Sequence, residues 1–242
     1  DFFHKNKITH CINCAAYTAV DKAESEGETA QKINVNGVSF LAEAAKKNDV
    51  TLIHISSDYV YHNEINRPLK EDDIATPKSI YAQTKLDGDV LALKNNKKTF
   101  VLRTSWVYSS FGNNFVKTMK RLGAERDALN IVYDQIGTPT YARDLAEVIF
   151  KIIEKENTLD NPYGVYHFSN EGVTSWYDFA LEIFHLENIK CKVTPILSKD
   201  YPTPAARPTF SIMDKSKIKE TFGFKIRHWK ESLANCLEIL KS

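Results

Sequence analysis

Tyr81 and Lys85 stand four residues apart in the run Tyr81-Ala82-Gln83-Thr84-Lys85. On a helix that spacing puts both side chains on one face. A free tyrosine, with a pKa near ~10, is a poor acid–base group at neutral pH. An adjacent ammonium favours the phenolate and lowers that pKa, so such a pair can exchange a proton with an oxygen while hydride moves at the neighbouring carbon. By itself the motif is short and describes a helix-surface pair equally well. About 24 positions upstream, however, Ser57 follows the apolar run VTLIHIS (Val50–Ser56). A hydroxyl at a strand end can hydrogen-bond a substrate carbonyl and the alkoxide that develops on it; its structural alternative is to close the strand and cap a turn. Ser57, Tyr81 and Lys85 together make three parts of a catalytic triad.

The elements that must position these residues alternate along the chain. Short apolar strands are expected at Cys11–Ala16, Val50–Ser56, Phe100–Ser105 and Leu129–Tyr133, and helices at Thr29–Lys47, Ser79–Lys94, Asn114–Leu122 and Ala142–Glu156. That alternation implies an α/β fold with a doubly wound parallel sheet and helices on both faces; a run such as VTLIHIS suits a strand covered on both sides. Beyond about Asn157 the pattern changes. A strand at Val165–Phe168, a helix at Trp176–Leu186, a Pro-rich stretch (Pro195–Pro208) and helices near Asp214–Thr221 and Trp229–Leu240 read as a smaller lobe. The expected organisation is a Rossmann-like part, 1–156, and a smaller lobe, 157–242, interleaved in space. Ligands bind beyond the carboxyl ends of the strands in such sheets, which here are Ala15–Thr18, Ser56–Tyr59 and Thr104–Trp106.

Bulk properties narrow the function classes. The chain has 242 residues, 43% hydrophobic and 26% charged, with a formal net charge of +1. That balance points to neither a nucleic-acid nor a membrane partner, and no apolar run reaches the roughly 18 residues that span a bilayer. The opening Asp1-Phe2-Phe3-His4-Lys5 does not read as a signal peptide, and four scattered cysteines, at 11, 14, 191 and 236, fit a reduced, cytoplasmic protein. Cys11-Ile12-Asn13-Cys14 is formally a CxxC, but strand positions three apart face opposite ways and no second ligand pair lies at zinc spacing. No metal is expected. His54 alternates within its strand and reads as a core or supporting residue; Trp176 and Tyr177 read as core.

Several ordered motifs carry a resemblance. NCAAYTAVDKAE (Asn13–Glu24), SSDYVY (Ser56–Tyr61), LRTSWVY (Leu102–Tyr108), NNFVKTM (Asn113–Met119), DQIGTPTYARDLAE (Asp134–Glu147), TSWYDFA (Thr174–Ala180) and YPTPAARPTFS (Tyr201–Ser211) resemble those of the dTDP-4-dehydrorhamnose reductase family over nearly the whole chain. The resemblance implies reduction of the 4-keto group of dTDP-4-dehydro-L-rhamnose by NADPH or NADH, with a dTDP-sugar as substrate; a homodimer is compatible with it. By motif position, Tyr81 is the proton donor, and Lys85 lowers its pKa and holds the nicotinamide ribose. Ala16, Tyr17 and Thr18 line the cofactor, Ser57 and Asp58 contact the sugar, and Trp106 lies against its apolar face. Arg207 is a candidate for the phosphates, since a guanidinium matches phosphate bidentately; a surface salt bridge is the equal alternative.

The departures from the family pattern also count. Ser57 stands for the usual Thr and keeps the hydroxyl; Cys14 replaces Ala; Phe210 occupies the Asn position of ARPxNS; and the Gly that usually follows DYVF is absent from Val60–Pro68. A Rossmann enzyme opens with a strand, a Gly-rich turn and a helix whose N-terminus takes the pyrophosphate. No such fingerprint occurs among the nine glycines, so roughly one βαβ unit, ~30 residues or more, is expected to be lacking, and the chain on its own is expected to bind NAD(P)H weakly. The competing readings are a sugar-nucleotide epimerase or dehydratase of the same superfamily, and a non-catalytic regulatory subunit. The latter gains weight from the absent phosphate loop and loses it from the retained Ser57, Tyr81 and Lys85.

Overall fold

The computed structural model describes residues 2–62 and 65–241; Asn63 and Glu64, inside the Val60–Pro68 stretch, lie outside the described residues, as do both terminal residues. A short helix α1 (Phe2–Lys5) leads into β1 (His10–Asn13). After α2 (Val20–Ala23) comes a long helical segment, in which α3 (Gly27–Gln31) passes through a π-helical turn (Lys32–Gly37) into α4 (Val38–Lys47). Next come β2 (Thr51–Ser57), a 3-10 turn at Asp58–Val60, α5 (Ile80–Asn95) and β3 (Thr99–Thr104). β4 (Val107–Tyr108), α6 (Phe115–Glu125), β5 (Ala128–Val132), β6 (Ile136–Gly137), β7 (Thr140–Tyr141) and α7 (Ala142–Lys155) follow. The remainder comprises β8 (Gly164–His167), β9 (Thr174–Ser175), α8 (Trp176–Glu187), β10 (Lys192–Ile196), α9 (Ser216–Phe222) and α10 (Trp229–Ile239).

The main sheet is parallel, in the order β1-β2-β3-β8. Its strands are continuous apolar runs because both faces are covered. On one face α4 and α5 pack Val38, Ala42, Ala45 and Ala92 against Val50 and Leu52. On the other, α7 and α9 pack Leu145, Val148, Ile149, Ile152, Ile218 and Phe222 against Ile53, Phe100 and Leu102. A separate core joins α6, α8 and α10 around Leu129 and Ile131 of β5.

Three sequence expectations change. The first strand ends at Asn13, three residues early, because the Asn13 side chain turns back and its Oδ1 accepts the Ala15 N–H (3.2 Å), which opens a turn. The expected 29–47 helix contains the π-turn. β5 is absent from the main sheet: it pairs in parallel with β10, where Pro195 stands opposite Ile131. Among the described residues β10 pairs with no other strand, and a proline, lacking an N–H, suits such an edge strand. The sequence reading contained no strand there. Around residue 157 the chain crosses over: β8, from beyond it, completes the main sheet, whereas β5, from before it, pairs with β10.

Gly88 sets the spacing between α5 and the π-turn. A Cβ at this position would stand 2.2 Å from the Asn34 carbonyl oxygen, which belongs to backbone and has little room to yield. Gly88→Ala is therefore expected to destabilise the fold by about 1–3 kcal/mol through overpacking. Chemical denaturation would measure this, and an unchanged midpoint would contradict the close approach.

Candidate active site

β2 delivers Ser57 to its carboxyl end, where the chain enters the Asp58–Val60 turn. The Ser57 Oγ accepts the Tyr59 N–H (3.2 Å) and donates to Asp58 Oδ1 (3.2 Å). Tyr81 arrives from α5. Ser79, extended and two residues after Pro77, caps that helix by accepting the Ala82 N–H at 3.1 Å, as an N-cap serine should, and Glu24 Oε1 accepts the Ile80 N–H at 2.8 Å. Tyr81 thus lies in the first turn. It packs edge-on against Tyr59, with ring centroids 5.6 Å apart, and lies close enough to Ser57 for that hydroxyl to act on its phenol.

Lys85 lies one turn further along. It is 2% exposed, donates from Nζ to the Ile55 carbonyl (2.8 Å) and lies 3.4 Å from His54 Nε2. Its ammonium thus reaches beneath the site, toward β2. Burial outweighs the lowering of the Tyr81 pKa expected from Lys85. Burial, chiefly, pushes the Tyr81 phenol up to about 12; the Ser57 hydrogen bond opposes this, and the charges of Asp58 and Asp89 add to it. The phenol is held neutral, the state from which a proton can be donated. Asp58 is likewise pushed up to about 7 by burial, against hydrogen bonds with Ser211 and Ser57.

Ala16, Tyr17 and Thr18 lie past the end of β1, beside α5. Their backbone is fixed by Asn34, which the sequence reading passed over. Its Oδ1 accepts the Tyr17 N–H (2.8 Å), and its Nδ2 donates to the Tyr17 carbonyl (3.2 Å) and to Thr84 Oγ1 (3.1 Å). The Tyr17 hydroxyl turns outward to Glu26. Cys14 and Ala15 are exposed, while Tyr17 packs in the cluster that holds Tyr81.

Trp106 sits between β3 and β4 with φ +48°, a left-handed backbone that is costly for a bulky residue. The Thr140 N–H to Trp106 O bond (3.2 Å) and the Ser105 Oγ to Thr138 O bond (2.7 Å) hold it there. One indole face is stacked on Trp176, with centroids 3.6 Å apart and planes 10° from parallel. Trp176 in turn donates from Nε1 to Gln135. Read as core from sequence, Trp176 is half-buried and forms the backing of Trp106. A Cβ on Gly137 would lie 2.8 Å from the Trp106 ring and from Ser211 Oγ. Only that glycine lets the two approach.

Arg207 is engaged. Its Nη1 and Nη2 donate to the two carboxylate oxygens of Asp21 (3.1 and 2.8 Å), so the salt bridge weighed from sequence is formed, and it links the segment after β10 to α2. No group of three or more potential ligands capable of holding a metal occurs among the described residues; Cys11 and Cys14 are free thiols, raised in pKa by burial.

A family model, the RmlD substrate binding domain, matches residues 1–242. The chain is 44% identical over 243 residues to a dTDP-4-dehydrorhamnose reductase of Aggregatibacter actinomycetemcomitans, covering 97% of this chain and 81% of that protein. A solved dTDP-4-dehydrorhamnose reductase from Clostridium acetobutylicum superposes with a TM-score of 0.95 at 44% identity, over 100% of this chain and 84% of that one. The Bacillus anthracis reductase, solved in complex with NADP, gives 0.93 at 37% identity, over 98% and 83% respectively.

Burial of Asp58 has a consequence for stability. Its folded pKa, about 7, lies above the unfolded value of 3.8, so the native state binds the extra proton and this group's contribution to stability falls as pH rises from about 4 to 7. Asp58→Asn is neutral throughout. Its stability relative to the wild type should therefore climb across that interval and level off above it, as urea denaturation at pH 5 and 8 would register. A pH-independent difference would mean that Asp58 is ionised in the native state well below pH 7.

Proposed function

The chain belongs to the RmlD substrate binding domain family, and we propose that it reduces the 4-keto group of dTDP-4-dehydro-L-rhamnose with NAD(P)H to give dTDP-L-rhamnose. The observation that carries this reading is the buried Tyr81 phenol, packed edge-on against Tyr59 by the carboxyl end of a central strand and one helical turn before the buried Lys85. A ketone reduction needs a hydride at carbon and a proton at oxygen, and a phenol kept protonated at neutral pH is suited to supply the latter.

Bound NAD(P)H supplies the hydride. The residues present fit its nicotinamide and ribose end. The exposed, small Cys14 and Ala15 and the Tyr17 backbone pinned by Asn34 leave the cofactor side open, and the Lys85 ammonium has three N–H donors, of which the Ile55 carbonyl takes one. Ser57 and Tyr81 polarise the substrate carbonyl, and Tyr81 passes its proton to the C4 oxygen. The phenolate left behind is then stabilised by the Lys85 charge, one helical turn away. Trp106, backed by Trp176 and partly exposed, offers its indole to the apolar face of the deoxysugar. Asp58 meets a sugar hydroxyl, and Arg207 exchanges Asp21 for the substrate's diphosphate. Residues 1–156 hold the cofactor side and part of the sugar site, and 157–242 add Arg207 on the nucleotide side. No helix among the described residues is long and apolar enough to cross a membrane, and a cytoplasmic location suits a nucleotide-sugar enzyme.

Two substitutions test the assignment. Tyr81→Phe should lower kcat by ~10²-fold or more, the usual worth of general acid catalysis, with unchanged thermal stability; near wild-type turnover would remove Tyr81 from the chemistry. Trp106→Ala should raise KM for the sugar nucleotide more than Kd for NAD(P)H. An equal loss of both would make Trp106 a packing residue.

A further inference from the structure

Beneath the proposed site lies a cluster of buried polar groups that the mechanism above does not use. Tyr81, Lys85 and Asp89 follow one another at intervals of four on α5 and so run along one face of it. Lys85 and Asp89 are 2% and 1% exposed. Facing them are His54 from β2, fully buried, and Arg103 from β3, 6% exposed. Asp89 Oδ2 accepts the Arg103 Nε–H (3.1 Å), whereas Asp89 Oδ1 has no hydrogen-bond partner and lies 3.7 Å from His54 Nε2.

The tautomer of His54 follows from its neighbours. Asn13 Oδ1 is occupied by the Ala15 N–H, so it is Asn13 Nδ2 that faces His54 Nδ1 at 3.0 Å. Nδ1 therefore accepts, and the imidazole proton resides on Nε2. That N–H points into the space between Lys85 and Asp89, and it cannot accept a proton from the ammonium. The ring is also held neutral, first by burial and then by the Lys85 charge. Hence the ammonium has one backbone carbonyl as acceptor and must find its counter-charge elsewhere. Of the charged or titratable groups around it, His54 from β2 lies 3.4 Å away and Asp89 from its own helix acts on it, while Arg103 from β3 is bound to Asp89. Burial lowers the Lys85 pKa, and Asp89 acts in the opposite direction.

We propose that Asp89 is a positioning residue of the reductase: its buried carboxylate keeps the Lys85 ammonium charged and seated against the Ile55 carbonyl, with the neutral His54 N–H filling the space between them. Asp89 touches neither substrate nor cofactor and acts through Lys85. This rests on the assignment of Lys85 to the reaction.

The test is the pH profile of kcat in the active enzyme. If charged Lys85 is required, activity falls as pH rises through its pKa. Asp89→Asn removes the counter-charge at constant size, so the alkaline limb should move to lower pH by about one unit or more, and kcat at pH 8 should fall about tenfold or more. Asp89→Glu should restore the limb. A purely structural carboxylate would lower the yield of folded enzyme and leave the limb in place, so a folded Asp89→Asn with the wild-type profile overturns the proposal. Should the isostere not fold, Asp89→Ser, which leaves room for water, is the second variant; if neither folds while Asp89→Glu does, Asp89 serves the fold alone and the proposal also falls. Lys85→Met separates the two readings. Near wild-type turnover in Lys85→Met sinks the site assignment, whereas an inactive Lys85→Met beside an unmoved limb in Asp89→Asn sinks only the present inference.

Discussion

A lysine ammonium almost sealed from water, at the carboxyl end of a central strand, is the constraint that organises the middle of this molecule. Transferring such an ion out of water costs several kcal/mol, and the cost is recovered only with good geometry and a counter-charge. The sequence meets this with Asp89 one turn along the same helix, but a buried carboxylate brings the same problem with opposite sign. Arg103 answers it, and Arg103 in turn donates to the Tyr61 hydroxyl (2.6 Å), which lies 2.9 Å from His167 Nε2, whose other ring nitrogen lies 3.1 Å from the Leu69 carbonyl. Apart from Asp89 Oδ1, each group finds a partner in the next, and the chain of contacts ends on the Leu69 backbone, which bridges to Met213. Removing one member of such a buried set typically costs roughly 3–5 kcal/mol, because a charge is left uncompensated.

Burial acts oppositely on the two residues of the Tyr-x-x-x-Lys pair. Desolvation disfavours whichever form is charged. For Tyr81 that form is the phenolate, so burial by itself keeps the proposed proton donor protonated. For Lys85 it is the ammonium, so burial alone would discharge the group proposed to stabilise the phenolate. One carboxylate resolves the conflict, because Asp89 raises the pKa of both residues. The Asn34 clamp adds the steric half of the arrangement. Its three hydrogen bonds fix the Tyr17 backbone to α5 at Thr84, and Gly88 allows that approach. A π-turn places Asn34 where a regular helix would turn it elsewhere, in keeping with the frequent occurrence of π-bulges at functional sites.

The sequence disclosed what depends on local periodicity and little of what depends on partners. Apolar runs located β2, β3 and β8 to within a residue or two, and the spacing of Tyr81 and Lys85 gave their common face. Spacing could not reveal that Lys85 turns to Ile55, since a side chain with four rotatable bonds chooses its acceptor in three dimensions. Nor could it reveal that burial would outweigh the influence of Lys85 on Tyr81. β5 read correctly as a strand, but its sheet was not legible, because strand pairing is a long-range choice and the Pro195 in its partner argued against a strand. Trp176 was read as core because an aromatic at helical spacing usually is; nothing local signalled that its ring would stack on Trp106. Arg207 and Asp21 lie far apart in sequence, and no periodicity links them.

The segment from Tyr201 to Asp214 shows how the smaller lobe meets the site through two kinds of contact of unequal strength. The Arg207–Asp21 pair is partly exposed, 23% and 40% at the side chains, and exposed pairs contribute about 0–1 kcal/mol. A diphosphate offering two charged oxygens to the same guanidinium can displace Asp21 at little cost. A few residues on, the contacts are main-chain. The Ile136 N–H donates to Thr209 O and the Ser211 N–H to Ile136 O, both at 2.8 Å, and Leu69 and Asp214 exchange a further bond of 2.7 Å. These bonds use no side chain of residue 210. Phe210 can therefore replace the family's Asn without moving Ser211 from Asp58. What the replacement alters is the chemistry presented at that point, from an amide able to donate and accept to an apolar ring, so any polar recognition of the sugar nucleotide near residue 210 has to come from the neighbouring backbone and from Ser211.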